Sequence, residues 1–368
     1  MNVYFWRRYV THTDLKKTPL CAACEAAGGK MVDFHGWLLP VQFEGILAEH
    51  KAVREAAGMF DVSHMGQIFI EGKDAWAFLQ HINCNNIKNE PGAGTYSHIL
   101  TEKGTIIDDA ISFCITPEKF LTVVNAACAD EDYAWFQKQA GSFDVTVRNE
   151  SAAWAMIAVQ GPKAVETVNN LIPGVQELAR FHIREIELLG AKGYVTRTGY
   201  TGEDGVEIML PNDKIAALWD ELLKLGVKPC GLGARDVLRL EAGYLLNGAD
   251  ADQTRTPYEA NCGWVVKLAK ENFVGKDALA AQKAQGLKEK LTAFVLKGPG
   301  VPRAGCKVYA GAEEKGVLTS GTYSPLFKGI AVGYVTADVA AGSEVEIEIH
   351  GRKVRAEAVK TPFYKNRV

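Results

Sequence analysis

No apolar run in this sequence approaches the ~20 residues that a membrane-spanning helix needs, which excludes a helical membrane protein. Charge of one sign is also scarce. A formal net charge of −3 over 368 residues is not the basic footprint of a nucleic-acid binder or of a protein held on an anionic membrane. Nucleotide signatures are missing as well. Gly92-Ala93-Gly94-Thr95-Tyr96-Ser97 and Gly231-Leu232-Gly233-Ala234-Arg235-Asp236 each lack the third glycine of GxGxxG. Neither reads as the opening of a helix after a strand in a βαβ unit, and no Gly-Lys-Ser/Thr occurs, so no nucleotide is expected. Of eight cysteines only Cys21 and Cys24 form a CxxC pair, and without a second pair no zinc or other metal site is expected. Scattered thiols of this kind fit a reducing, cytoplasmic compartment.

What remains is an ordinary globular balance, 47% hydrophobic and 23% charged, with length enough for two to three domains. The spacing predicts a helix over 41–57 closed by Gly58 as the C′ residue, and one over 74–82. Strands are predicted at 67–71, 120–125 and 154–159, with a hairpin joining 194–198 to 205–210. Ile215, Leu218, Trp219, Leu222 and Leu225 mark an amphipathic helix, capped by Asn212 or Asp213 and ended at Gly226. Beyond about residue 285 the pattern turns to short alternating strands and glycine turns, including a hairpin over Val345, Ile347, Ile349 and Val354. These features predict a flexible extension over 1–14, an α+β region over 15–285 and a β-barrel-like domain over 286–368. Arg7, Arg8 and the absence of an acid before Asp14 give the extension a weak transit-peptide character. If it is a targeting remnant, the compartment is the mitochondrial matrix instead.

The stretch Thr105-Ile106-Ile107-Asp108-Asp109-Ala110-Ile111-Ser112-Phe113 sets two carboxylates inside an apolar strand. Alternation puts Ile107, Asp109, Ile111, Phe113 and Ile115 on one face, and Ile106, Asp108, Ala110, Ser112 and Cys114 on the other. Asp109 is then the one acid on the more apolar face. Holding it there costs several kcal/mol, in order of magnitude, unless it is paired, hydrogen-bonded or protonated. Either it caps a loop or pairs with a buried arginine, or it is a catalytic acid or base.

Three further groups carry chemistry. In Gly199 to Glu207, Val206 and Ile208 point one way and Glu207 the other, so this carboxylate either faces solvent or grips an amidine-like ligand edge through two hydrogen bonds. Arg235 and Arg239, with Asp236 and Glu241, form either a local ion-pair network or, through Arg235, a ligand contact. Asp61, Ser63 and His64 are too close in sequence to converge as a triad. His35 and His64 both sit in aromatic company.

Taken together, Met31 to Trp37, Gly58 to Met65, Gly104 to Asp109, Gly199 to Glu207 and Gly231 to Glu241 resemble, in order and spacing, the glycine cleavage T-protein (aminomethyltransferase) family. Gly321 to Pro325 and Pro362-Phe363-Tyr364 extend the resemblance, which runs from about Leu15 to the end. It implies three subdomains in a cloverleaf around a central folate channel. It also implies transfer of the one-carbon unit of an aminomethyl group from the lipoyl arm of the H-protein to tetrahydrofolate, with loss of ammonia. Asp109 takes the family's catalytic position and Asp108 a loop-structural one. Glu207 takes the position that grips the amino-pyrimidine edge of the pterin. Tyr200, Asn125 and Arg235 match other folate-site positions, Tyr96 lines the channel, and Trp264 packs against the ring. Tyr364 and Lys365 fall where relatives place a polar ligand contact.

The same fold also carries folate-dependent demethylases and non-catalytic folate-binding proteins. The latter bear a Lys-Gly-Cys-Tyr-type motif that is absent here, and the flavin-fused oxidases of this fold need a dinucleotide fingerprint that this chain lacks. Two departures stand out. Thr105 replaces the second of the family's paired glycines, which restricts positive φ at that position, and the segment before Leu15 has no counterpart.

Overall fold

The computed structural model describes residues 15–366, so the predicted extension over 1–14 lies outside the described residues. Three lobes meet at one centre. The chain enters a six-stranded sheet at Gly58–Asp61, leaves to build a five-stranded one, and returns at Trp154–Gln160, so the first two lobes are interleaved.

The five-stranded antiparallel sheet runs in the order Gly94–Leu100, Ile106–Thr116, Lys119–Val124, Gly66–Glu71, Thr146–Asn149. Its alternation buries Ile68, Ile70, Ile99, Ala110 and Cys114 against Phe78, Leu79 and Phe136 of the helices Ala75–Ile82 and Ala129–Gln139. Each large side chain so buried contributes about 1.5–3 kcal/mol. The opposite residues Phe69, Phe113 and Leu121 pack on Ile183, Tyr194 and Met209 of the six-stranded sheet. The acid-bearing strand is therefore buried on both faces. The view of Asp109 as the sole acid on an apolar face is corrected: Asp108 is fully buried, and Asp109 is half-buried.

In the six-stranded sheet Tyr194 pairs with Met209, the predicted hairpin. The helix Asn212–Lys224 seats Ile215, Leu218, Trp219 and Leu222 on Ile157, Ile208 and Leu210. Gly226, at φ +81°, closes it as predicted. Its start differs from expectation. Asn212 and Asp213 are the first helical residues, behind Pro211, and the Asn212 amide donates to the Ala152 carbonyl instead of capping.

The helix predicted over 41–57 is shorter, Ile46–Glu55, because Val41 belongs to the strand Trp37–Gln42. Gly58 is not its C′ residue but the first of a strand. Close approach explains that glycine, since a Cβ there would lie 2.6 Å from both Cys230 Sγ and Val53 Cγ2.

From Glu289 to Val359 six strands close into a barrel in the order Glu289–Leu296, Lys328–Thr336, Glu313–Ser324, Lys307–Ala310, Glu344–Ile349, Arg352–Val359. Val345, Ile347 and Ile349 point inward while the alternating glutamates face out, and closure leaves no open edge.

The helix Leu232–Glu241 bolts the lobes together. Buried Glu241 accepts from His50 Nε2 at 2.9 Å, from Arg54, and from Ser324 Oγ of the barrel at 2.5 Å. Burial pushes the Glu241 carboxyl up, but the His50 and Ser324 hydrogen bonds and Arg54 more than offset it, so its pKa is lowered. Two residues earlier, Arg239 donates to Asp236, Asp250 and Ser320 Oγ. Apolar side chains from all sides, among them Leu100, Ile106, Leu240, Leu291 and Ile330, fill the junction. No helix among the described residues is long and apolar enough to cross a membrane.

Candidate active site

Beside that junction lies a cavity of about 1470 Å³, walled by the two sheets, the helix Leu232–Glu241 and the barrel. Its lining is mostly apolar, with a few polar groups converging from different lobes, the usual make-up of a small-molecule site. Asp109, Asn125, Tyr96, Tyr200, Glu207, Arg235 and Trp264 all line it.

Asp109 reaches the wall because it shares a strand face with Ile111 and Phe113, which also line the cavity. Its Oδ2 accepts from the Tyr96 hydroxyl at 3.0 Å and its Oδ1 from Asn125 Nδ2 at 3.1 Å. Burial and the adjacent Asp108 charge raise its pKa to about 7, against the pull of those two donors. The group is thus poised near neutrality, as a working acid or base has to be.

Asp108 holds loop residues in place, as the resemblance implied. It accepts from the Asn125 backbone N–H at 2.9 Å, from Asn125 Nδ2 at 2.8 Å and from Asn247 Nδ2 at 2.7 Å. Asp132, from the helix behind, touches it as well, and no protein donor faces either Asp132 oxygen among the described residues. Burial, with Asp108 beside it, pushes Asp132 well above the carboxylate range. Burial raises the Asp108 pKa too, against the pull of its hydrogen bonds to Asp132 and Asn125. Asn125, expected as a folate contact, lines the cavity but spends its Nδ2 on the two aspartates.

Across the cavity, Glu207 accepts from Thr198 Oγ1 through Oε2. The guanidinium carbon of Arg235 sits 4.6 Å from the Tyr200 ring centroid, and its Nη1 is buried without a protein partner among the described residues. The two arginine readings thus divide: Arg239 makes the ion-pair network and Arg235 faces the cavity. Tyr200 donates to the Leu245 carbonyl and stacks on Tyr244 at 5.8 Å. Burial, then Arg235 and His35, lower the His64 pKa to about 3, which leaves a neutral ring on the wall. Trp264, 61% exposed, stacks on Tyr96 at 5.8 Å and 19°.

Two expected site residues stand apart. The Tyr364 ring lies under Arg54, 3.9 Å from centroid to guanidinium carbon, and its backbone N–H donates to Glu241. Neither Tyr364 nor exposed Lys365 lines the cavity. The Asp61-Ser63-His64 segment makes no triad: Ser63 Oγ donates to the Met156 carbonyl and Asp61 accepts from Thr18 Oγ1.

The Gly231 cluster does open a helix behind the short strand Lys228–Pro229, contrary to expectation. Yet the Val41 backbone would lie 2.4 Å from a Cβ at Gly231, and Glu49 Oε2 takes the Gly231 N–H at 2.8 Å, so the place of a phosphate is filled. At the other departure, Gly104 alone takes positive φ, +76°, and Thr105 bonds Thr101. The replacement leaves the strand that carries Asp109 in place.

Sequence reasoning missed His98, Asp132 and Asn247. His98 had a signal, because it falls two residues from Tyr96 on one strand face, opposite Asp109 in register. Asn247 had none, since its contact with Asp108 spans 139 residues. Among the described residues no group of His, Cys, Asp and Glu could hold a metal ion.

Comparison with known proteins places this geometry. The family model described as the GCVT N-terminal domain matches residues 20–270, and that of the glycine cleavage T-protein C-terminal barrel domain matches 289–365. An aminomethyltransferase of Alkaliphilus oremlandii is 45% identical over 96% of this chain and 98% of its own. One from Herpetosiphon aurantiacus is 44% identical over 96% and 99%. The crystal structure of glycine cleavage system aminomethyltransferase T from Bartonella henselae superposes with a TM-score of 0.90 at 34% identity, over 96% of this chain and 99% of that one. By its sequence, its two matched domains and its fold, the chain belongs to the glycine cleavage T-protein family of aminomethyltransferases.

Proposed function

We propose that this aminomethyltransferase passes the one-carbon unit of an aminomethyl group, carried on the lipoyl arm of the H-protein, to tetrahydrofolate. The products are 5,10-methylenetetrahydrofolate, ammonia and dihydrolipoyl H-protein. One observation carries the reading: a half-buried carboxylate, Asp109, held by Tyr96 and Asn125 across a cavity from Glu207 and Arg235.

The cavity's volume and apolar walls suit a pterin with its tail, and the buried, unpartnered Arg235 Nη1 is a donor awaiting a ligand. Glu207 is the group to accept two parallel hydrogen bonds from the amino-pyrimidine edge. Arg235 serves as a fixed cation near the ligand, and Tyr200, Tyr96 and Trp264 supply aromatic faces. In its ionised form Asp109 stabilises the positive charge that develops as the folate nitrogen attacks the one-carbon centre, and it moves the proton that leaves. All eight cysteines are free, which fits action in the cytoplasm.

The test supplies purified protein with tetrahydrofolate and aminomethylated H-protein and follows ammonia release. Release that requires folate supports the transferase. Folate binding without release replaces it with a binding protein, and release from another methylamine donor makes it a demethylase. Glu207→Gln is expected to weaken tetrahydrofolate binding about tenfold to a hundredfold by titration, the scale of a lost charge-assisted hydrogen bond. Affinity equal to wild type removes Glu207 from the pterin edge.

A further inference from the structure

His98 is an imidazole sealed inside the five-stranded sheet. It is 0% exposed, directly opposite Asp109 in strand register. Its Nε2 lies 3.2 Å from the Tyr96 hydroxyl, which in turn lies 3.0 Å from Asp109 Oδ2. Its Nδ1 is buried and faces no protein partner among the described residues. Burial alone lowers its pKa to about 3, so the ring is neutral and carries one N–H.

A neutral imidazole, a phenol and a carboxyl in a row have two consistent arrangements of their hydrogens. When Asp109 is ionised it only accepts, so Tyr96 donates to it, and His98 must donate to Tyr96 through Nε2–H. When Asp109 is protonated and donates to Tyr96, the Tyr96 hydrogen turns to His98 Nε2, and the imidazole must carry its proton on Nδ1. That second arrangement buries an N–H with no acceptor, a heavier penalty than an unmatched ring lone pair.

From this geometry we infer that His98 is a positioning residue for the transfer reaction: by donating through Nε2 it fixes the Tyr96 hydroxyl proton on Asp109 and favours the ionised carboxylate. The inference rests on the transferase reading of the same cavity. The other titratable groups that bear on Asp109 are Asp108 on its own strand, Asp132 from the helix behind, Tyr200, and Cys262 from the loop at the mouth. Of these Asp108 raises the Asp109 pKa, and the Tyr96 hydrogen bond, which His98 orients, works against it.

The experiment follows kcat/KM for ammonia release against pH. Wild-type activity should rise with pH through about 7, as Asp109 ionises. In His98→Leu the same limb should move up by about half a pH unit or more, the scale of one weakened hydrogen bond. Activity then falls roughly threefold or more at pH 6.5 and recovers at pH 9. His98→Gln, whose amide donates in place of Nε2, should return the limb most of the way. A rate lowered equally at every pH makes His98 merely structural and overturns the inference.

A second measurement needs no variant. Nitrogen NMR of the histidine rings in the wild-type protein should show His98 protonated on Nε2 and bare on Nδ1. The opposite tautomer overturns the inference even if the Leu variant does not fold. Wild type without any folate-dependent release would instead count against the transferase reading and leave the tautomer result standing.

Discussion

Asp109→Asn should cut turnover at least about a hundredfold, the lower end of general acid–base effects, while tetrahydrofolate affinity stays within a few-fold of wild type. The substitution keeps the side chain's size in its place between Tyr96 and Asn125 and removes only the charge and the transferable proton. Ligand-gripping groups sit elsewhere on the cavity wall, at Glu207 and Arg235, so binding and chemistry separate. Unfolding is not the expected cause of the loss. The Asp109 pKa is raised from 3.8 to about 7 in the fold, so the folded state holds this proton more tightly than the unfolded chain does. Ionising it therefore draws stability down as pH rises across that window. At pH 8 the Asn variant, which has no such charge, should melt at or above the wild-type temperature, and below about pH 4 the two should converge. Turnover equal to wild type would remove Asp109 from the mechanism. A variant that melts well below wild type at pH 8 would mean that the carboxylate is structural.

Strand parity was enough to part Asp109 from Asp108, because a period of two is a local property, but it misplaced Ile107, which a register irregularity turns to the side of Ala110 and Cys114. The barrel hairpin was legible for the same reason: Val345, Ile347 and Ile349 alternate with glutamates whatever they pack against. Parity could not show that the second face of the acid-bearing strand is buried too, under Phe78 and Phe136, which come from helices on either side in sequence. The role of Gly58 stayed hidden because it is set by the approach of Cys230, far along the chain, as much as by nearby Val53, while a glycine after an apolar periodic run reads locally as a helix end. Tyr364 shows the converse. A motif can place an aromatic at the right point in sequence, but Arg54 and Glu241 hold its ring and backbone beside the cavity and not in it.

Arg239→Met should cost about 3–5 kcal/mol of stability, seen as a lower midpoint of urea unfolding, because it strands a charge that the fold has sealed. Asp250 is 0% exposed, and Arg239 Nη1 meets its Oδ2 at 2.5 Å. After the substitution the carboxylate keeps only Thr319 Oγ1 and the Leu246 N–H. Asp236, the other acid on this guanidinium, is half exposed and can turn to water, so the loss concentrates on Asp250. Adding Asp250→Leu should therefore restore at least about half of the deficit, since deleting a buried pair is far milder than breaking it. A single variant within about 1 kcal/mol of wild type would mean that water enters and solvates Asp250. The damage should also reach the cavity. Arg239 ties the helix Leu232–Glu241 to the barrel through Ser320, and Arg235 projects from that helix one turn earlier. A loosened helix lets Arg235 drift from its stack on Tyr200, so tetrahydrofolate affinity should fall in the single variant and recover along with stability in the double one.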